Sequence, residues 1–117
     1  MLDCVSWDTD VNSVPTAFAL TFDERNKNTI VTSISQSGSP GSIISVESTD
    51  QGDLEMNVVL GDRDCEVFML LARRLHAELF WSRKSGTMKL MLLLSLQDKT
   101  DASIIPKIVE EVCSHNK

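Results

Sequence analysis

The sequence predicts an α+β fold, a single domain with a largely antiparallel sheet of five to six strands and two helices packed on one face. The first 60 residues contain short segments in which apolar and polar side chains alternate, separated by turns rich in polar residues or glycine. The apolar period then becomes helical, returns to alternation near residue 88, and is helical again before the C-terminus. The predicted order is therefore four or five strands, a helix, a strand and a helix.

Size and composition set the broad class. The chain has 117 residues, the usual size of one domain, so residues 1–117 are treated as a single unit. Hydrophobic residues make up 42% and charged residues 24%, which is typical of a globular protein and not of a disordered tail. The formal net charge is −6, and a phosphate backbone repels such a surface. The sequence therefore argues against nucleic acid as a partner.

The charge is placed unevenly along the chain. Residues 1–53 carry eight acids and two bases, whereas residues 54–117 carry nine of each. An acidic front half can steer a protein toward a basic partner surface, and it can also do no more than keep the protein soluble. The second role is the commoner one for exposed charges.

Cysteine usage and hydropathy indicate the compartment. Cys4, Cys65 and Cys113 lie far apart and form no disulfide framework. Residues 1–4 show no basic segment leading into an apolar core, so we expect no signal peptide. The longest apolar run, residues 67–72, is far shorter than the roughly 20 residues of a membrane span. We therefore expect a soluble protein of a reducing compartment, the cytoplasm or the nucleus, with no membrane partner.

The strands of the first half are assigned from alternation and from turn residues. The segments predicted as strands are residues 16–22, 29–35, 43–48 and 54–60. The first two flank a polar turn and form a predicted hairpin. Residues 1–13 alternate weakly and could be an edge strand or a loose lead-in. The fourth predicted strand places four apolar side chains on one face, Leu54, Met56, Val58 and Leu60.

A long helix is predicted from Cys65 to about Trp81. Its core stripe has helical spacing and consists of Phe68, Leu71, Ala72, Leu75 and Leu79. Asp64 is the expected N-cap, and Glu66 lies in the first turn, where the helix dipole favours a negative charge. Cations and a glycine at residues 83–86 are expected to end the helix.

Residues 87–97 form the most apolar segment. One face of an extended segment would carry Met88, Leu90, Leu92, Leu94 and Leu96. Helix competes, because Leu and Met favour it, but Gly86 before the segment and a polar turn after it favour a strand. A last helix is predicted from near Ser103 to Ser114, with Pro106 in its first turn, where the missing N–H is harmless. Its inner face is Ile105, Ile108, Val109 and Val112.

Catalytic and metal-binding patterns have simpler explanations. Asp62, Asp64 and Glu66 stand at alternate positions, but an EF-hand loop needs more oxygen ligands, and helix capping accounts for all three. His76 is a lone mid-helix histidine, and a general base needs an orienting partner. His115 lies two residues from the C-terminus, where we expect it to be mobile. No metal site is predicted.

Cys65 is the only side chain with a physical argument for reactivity. A helix N-terminus stabilises a thiolate, but the neighbouring carboxylates oppose it and no histidine is suitably placed. The glycine-rich break at residues 37–41 is not a phosphate loop, because no lysine follows and a strand comes next. We expect no enzymatic activity and no cofactor, and an enzyme acting through Cys65 is kept only as an outlying alternative.

Apolar surface is present in excess of what two helices can cover. The long helix carries a second apolar row, and Met91 and Leu93 are apolar on the other face of the last strand. The second face of the sheet therefore needs cover, and the simplest cover is another subunit. We accordingly predict a dimer. The alternative is that residues 1–13 fold over it. The predicted dimer contact consists of Met91, Leu93, Val67, Leu70 and Trp81.

The order of these segments resembles the third proteasome assembly chaperone family. In the first half the resemblance rests on Val-Pro-Thr at residues 14–16, the glycine turn at residues 37–41 and a strand ending in Glu47. In the second half it rests on Val-Val-Leu-Gly before an aspartate pair and a long helix, then an apolar strand leading to Gln-Asp-Lys-Thr and a terminal helix ending in Val-Cys. It covers about residues 11–113.

The companion family, the fourth proteasome assembly chaperone, offers a competing match. Leu-Gly-Asp at residues 60–62, Leu-Ala-Arg-Arg-Leu at residues 71–75 and Ser-Leu-Gln at residues 95–97 are similar to it. The central turn, residues 38–44, favours the third family. The polar turn at residues 23–28 and the polar pair at residues 36–37 depart from the family pattern and indicate a divergent member.

The resemblance implies an antiparallel sheet of about six strands with helices on one side. It also implies a dimer with itself or with a companion chaperone, and a role in assembling the 20S proteasome without catalysis or cofactor. Such chaperones bind α-subunits, promote an α-ring of correct order and leave as β-subunits arrive. The alternative from another class is a small scaffold of the roadblock or longin type, which tethers signalling or trafficking complexes.

Overall fold

One six-stranded sheet with two helices makes up the described part of the chain. The computed structural model describes residues 2–23, 29–36, 41–48, 53–61, 65–80, 88–97 and 102–115. The elements are β1 (Leu2–Val11), β2 (Val14–Asp23), β3 (Thr29–Ser35), β4 (Ser42–Ser48), β5 (Leu54–Leu60), α1 (Glu66–Leu79), β6 (Met88–Ser95) and α2 (Ile104–His115). The strands lie in the order β1-β2-β3-β6-β4-β5. The predicted α+β class is confirmed.

The last strand lies in the middle of the sheet. β6 pairs in parallel with β3 and antiparallel with β4, and the other neighbouring strands are antiparallel. The neighbours of β6 pair with both of its edges, and its nearly unbroken apolar sequence is typical of a strand that is buried on both faces. The structure confirms the strand over the competing helix for this segment, and it confirms the hairpin of β2 and β3.

The N-terminal segment is an edge strand. β1 pairs with β2 through a two-residue turn at Asn12 and Ser13, whose φ angles are +51° and +67°. Turns with two positive φ angles match the twist of a hairpin, and asparagine tolerates that conformation better than most residues. Because β1 extends the sheet, the alternative that residues 1–13 fold over its second face is wrong.

The helices begin later than the sequence indicates. Cys65, with extended backbone angles, is the N-cap of α1 and makes no capping hydrogen bond with its side chain. The prediction of Asp64 as N-cap is therefore wrong, and Asp64 itself lies outside the described residues, as do the expected stop signals at residues 83–86. In α2, Pro106 is the third helical residue, so its missing N–H falls in the first turn, as expected.

The core lies between the two helices and one face of the sheet. On β6 this face carries Leu90, Leu92 and Leu94, each no more than 1% exposed. The predicted core stripe of α1 and inner face of α2 are buried against it. Both helices therefore cover the same face, as predicted.

Trp7 fixes the C-terminal end of α2 to the sheet. Its indole Nε1 donates a hydrogen bond to Glu111 Oε1 at 3.0 Å. The ring stacks on Phe18 with 5.1 Å between centroids and on the His115 imidazole with 3.7 Å between centroids. The expectation that His115 is mobile is wrong, because this ring contact holds it against β1.

An irregularity in β5 changes the predicted alternation. Ile43 of β4 pairs with Leu60, whereas the next residue, Ile44, pairs with Val58. One residue of β5, Val59, is therefore extra, as in a β-bulge, and it is 61% exposed. Leu60 consequently shares a face with Ile43, so the prediction that it lies on one face with Val58 is wrong.

Candidate protein-interaction surface

The face of the sheet opposite the helices, here called the open face, has no cover among the described elements. Alternate residues of each strand point to it, and pairing register places them in rows. One row, read from the β1 edge, is Ser6, Ala19, Ser33, Leu93, Ile43 and Leu60, and the next is Cys4, Thr21, Val31, Met91, Ser45 and Asn57. These two rows are the middle of the open face.

Five of these side chains form a central apolar patch, Val31, Ile43, Leu60, Met91 and Leu93. Leu60 is 60% exposed and Leu93 is 37% exposed. The other three are half-buried by their neighbours in the sheet. Monomeric proteins seldom leave a contiguous apolar surface in water, so this patch is a candidate contact surface.

The apolar patch borders a cleft of about 270 Å³. Ile43, Leu60 and Leu93 contribute its large side chains, and Gly41 and Ser33 are among the small residues that line it. In the row that contains Leu93, large side chains on β6, β4 and β5 and small ones on β2 and β3 give the open face an uneven relief. This relief comes from the sequence, since β3 carries serine where β6 carries leucine in the same row.

Charges on the open face lie at its periphery and are mostly acidic. Asp8 and Asp10 lie at one corner, on β1, and Glu47 and Glu55 lie at the opposite end of the sheet, on β4 and β5. Lys89, which is in register with Glu47, is the one cation among the described residues of this face. A partner that covers the apolar patch therefore meets an acidic rim.

A buried hydrogen-bond network closes the end of the sheet near Asp8. Gln36 Nε2 donates to Thr16 Oγ1 at 3.0 Å, and Gln36 Oε1 accepts from the Gln97 backbone N–H at 2.8 Å. The Gln36 backbone N–H also donates to the Ser95 carbonyl at 2.6 Å. Gln36 is 6% exposed, so the polar residue that departs from the family pattern joins three segments in the interior.

The five residues of the predicted dimer contact do not form one surface. Met91 and Leu93 lie on the open face. Leu70 is 50% exposed but lies on α1, on the other side of the sheet, and Val67 is only 8% exposed and belongs to the core. Trp81 lies outside the described residues. The helical period does not distinguish an inward from an outward row for Val67, and in the structure its side chain is buried in the core.

Three residues of the apolar patch were missed by the sequence reasoning. Val31 and Ile43 are apolar at positions of β3 and β4 that otherwise carry polar side chains, and that signal could have found them. Leu60 could not be found in this way, because the β5 irregularity alone places it on the open face.

The residues considered for chemistry lie apart from one another. Cys65 is 7% exposed, and His76 is 5% exposed with its ring 4.9 Å from that of Phe80. Partial burial raises the pKa of the Cys113 thiol, the Glu78 carboxylate raises it further, and Arg74 opposes both. In the part of the chain that the structure describes, no three of the His, Cys, Asp and Glu side chains are grouped as metal ligands. No described helix is both long and apolar enough to cross a membrane.

A sheet covered by helices on one face, with an apolar patch on the other that no described element covers, defines a small domain suited to contact another protein. The family follows from the sequence. A family model described as proteasome assembly chaperone 3 matches residues 9–114, and the chain belongs to this family. The predicted family is confirmed.

A solved structure shares the fold. The crystal structure of a novel chaperone complex for yeast 20S proteasome assembly contains a similar chain, with a TM-score of 0.72 and 14% sequence identity. The alignment covers 98% of this chain and 99% of that chain, so the similarity extends over the whole domain. No curated protein matches the sequence.

Proposed function

We propose that this protein is a non-enzymatic chaperone that binds α-subunits of the 20S proteasome and promotes ordered assembly of the α-ring, leaving as β-subunits join. It acts as a dimer, with itself or with a companion assembly chaperone. It does so in a reducing compartment, the cytoplasm or the nucleus, without a cofactor. The observation that carries the proposal is the family match over residues 9–114.

The open face is the proposed dimer contact. It presents the apolar patch, in which Met91 and Leu93 of the central strand are flanked by Ile43 and Val31 in register. Two sheets that pack face to face bury such alternate residues between them in a layer about 10 Å thick. The patch is of modest size and has a charged rim, which suits a partner that forms a specific and reversible complex.

The assembly role is tested by affinity capture of the tagged full chain from lysate, with separation of the captured complexes by size. We expect proteasome α-subunits in complexes that lack mature 20S particles, because an assembly chaperone leaves before the particle is complete. The matched control is the same capture with the Leu93→Asp variant. This variant is expected to lose the chain that pairs with the open face.

Two results would count against the assembly role. Capture of GTPases or vesicle components in place of α-subunits would favour the roadblock or longin type of scaffold. Capture of mature 20S particles, with stoichiometric β-subunits, would indicate a stable proteasome component. Either result would remove the proposal that the chain acts transiently on the α-ring.

A further inference from the structure

The edge of the sheet at β5 is unusually apolar for an exposed strand. Among the described elements, β5 pairs only with β4 and so lies at one edge of the sheet. None of its side chains is buried. Of the six large apolar side chains that are exposed in the described part of the chain, three lie on this strand, Leu54, Val59 and Leu60. Natural edge strands seldom present so much apolar surface without protection.

The backbone of β5 is able to accept a further strand. In an antiparallel pair, alternate residues point their N–H and C=O groups away from the partner, so the outer side of β5 presents a row of donors and acceptors. Proline or lysine commonly protects such an edge, and residues 54–60 contain neither. The opposite edge, β1, carries the exposed acids Asp8 and Asp10, which disfavour a further strand there. The irregularity at Val59 limits the regular part of the β5 edge to residues 54–58.

The charges beside this edge favour a basic residue on an added strand. Lys89, Glu47 and Glu55 are in register on β6, β4 and β5, so one cation is followed by two carboxylates. Like charges that lie directly opposite on neighbouring strands destabilise a sheet, whereas opposite charges stabilise it. Residues 29–61 contain four acids and no lysine or arginine, so this segment itself supplies no cation next to Glu55. A lysine or arginine in the next position, beyond Glu55, would complete the row.

A second copy of this chain does not meet that requirement. If the regular part of β5 paired with itself in antiparallel register about Met56, Glu55 of one chain would lie opposite Asn57 of the other. The two Glu55 carboxylates would then be diagonal neighbours on one face, and residues 29–61 of the second copy would bring no cation to them. The preferred occupant of the edge is therefore a basic segment of a different protein.

We propose that the β5 edge binds an extended segment of the client, the α-subunit of the proposed function, as an additional strand. Glu55 and Asn57 lie on the open face of β5. The alternate side chains lie on the same side as the helices: Leu54, Met56 and Val58. The segment that fits has apolar side chains at its first, third and fifth positions, and between them a lysine or arginine beside Glu55 and a polar residue beside Asn57. The inference rests on the proposed function, since it identifies how the client is held.

Hydrogen exchange followed by mass spectrometry tests the added strand. The full chain is paired with the recombinant companion chaperone of the same organism, and each recombinant α-subunit is then added in turn. We expect the amides of residues 54–60 to exchange readily in the paired chain, and about three of them to become protected when a client binds, because alternate N–H groups gain a partner. Residues 2–11, at the opposite edge, are the matched control and are expected to exchange unchanged.

Two charge reversals test the basic residue of the client segment. Glu55→Lys is expected to raise the dissociation constant for the α-subunit, measured by calorimetry, roughly tenfold, because it places two cations opposite each other. The same substitution removes the adjacent pair of carboxylates with Glu47, so we expect the fold to be retained. Glu110→Lys makes the same change of net charge at an exposed position of α2 and is expected to alter the dissociation constant less than about twofold. Equal effects of the two variants would overturn the proposed base opposite Glu55.

The outcomes separate failure of this inference from failure of the proposed function. If no α-subunit binds, the proposed function is wrong, and this inference is wrong with it. If an α-subunit binds while the amides of residues 54–60 exchange as before, the assembly role stands and the added strand is wrong. Protection of these amides before a client is added would also overturn the inference, because the edge would then have another partner.

Discussion

Replacing Leu93 by aspartate tests the open face at the centre of its apolar patch. Complete burial of a leucine side chain stabilises by about 1.5–3 kcal/mol, and Leu93 is 37% exposed, so cover by a partner adds roughly 1 kcal/mol. An unpaired carboxylate enclosed in the contact costs a further several kcal/mol. We use a conservative value of about 2–3 kcal/mol for this cost. The loss of about 3–4 kcal/mol predicts that the dissociation constant rises by more than about a hundredfold.

The assay is the molecular mass in solution, measured by sedimentation for the chain alone and mixed with its companion. Leu70→Asp is the matched control, because Leu70 is 50% exposed but lies on α1, on the other side of the sheet. We expect Leu93→Asp to sediment as a single chain with unchanged secondary structure and Leu70→Asp to pair normally. Equal masses for Leu93→Asp and the wild type would refute the assignment of the contact to the open face.

Three further predictions concern stability and pH. The Thr32 hydroxyl is buried without a hydrogen-bond partner, so Thr32→Val should raise the free energy of unfolding in urea by about 1 kcal/mol; an unchanged or lower value would show that the hydroxyl is satisfied. Gly61 has φ +109°, and a Cβ there would clash with the Ser42 side chain, so Gly61→Ala should lower the unfolding free energy by about 2–3 kcal/mol. Gly41→Ala should be nearly neutral, and equal losses for the two variants would contradict this. The folded state raises the pKa of Cys113, so the folded protein holds this proton more tightly than the unfolded chain, and stability should fall as pH rises above the ordinary thiol value of 9.0. The thermal stability of the Cys113→Ala variant should fall less than that of the wild type over the same pH range. If stability falls equally with pH in the two proteins, the pKa of Cys113 is not raised by folding.

Element type was predictable from the sequence because hydrophobic period and turn residues determine it locally. The alternation in residues 54–60 predicted β5 with the bounds that the structure shows, and the apolar residues of β6 predicted a strand. Glycine before that strand and a polar turn after it outweighed the helix preference of Leu and Met. Such signals need no knowledge of the tertiary structure.

Features that depend on pairing between distant segments were not predictable. The position of β6 between β3 and β4 depends on how α1 crosses the sheet, and the parallel pairing of β6 with β3 follows from that crossing. The irregularity that turns Leu60 to the open face appears only when β5 pairs with β4. The sequence therefore predicted that a second apolar face exists and found Met91 and Leu93 on it, but it mixed this face with α1 residues Val67 and Leu70.

Oxidation of methionine side chains measures cover of the open face directly. Met91 lies in the middle of this face, while Met56 of β5 and Met69 of α1 are half-buried against the core on the other side of the sheet and serve as internal controls in the same molecule. With dilute peroxide and peptide mass spectrometry, Met91 should oxidise at least about five times more slowly in the complex with the companion than in the dilute chain, with both controls unchanged. An identical Met91 rate in the two samples, under conditions where sedimentation shows pairing, would mean that the partner lies elsewhere and that the open face stays bare.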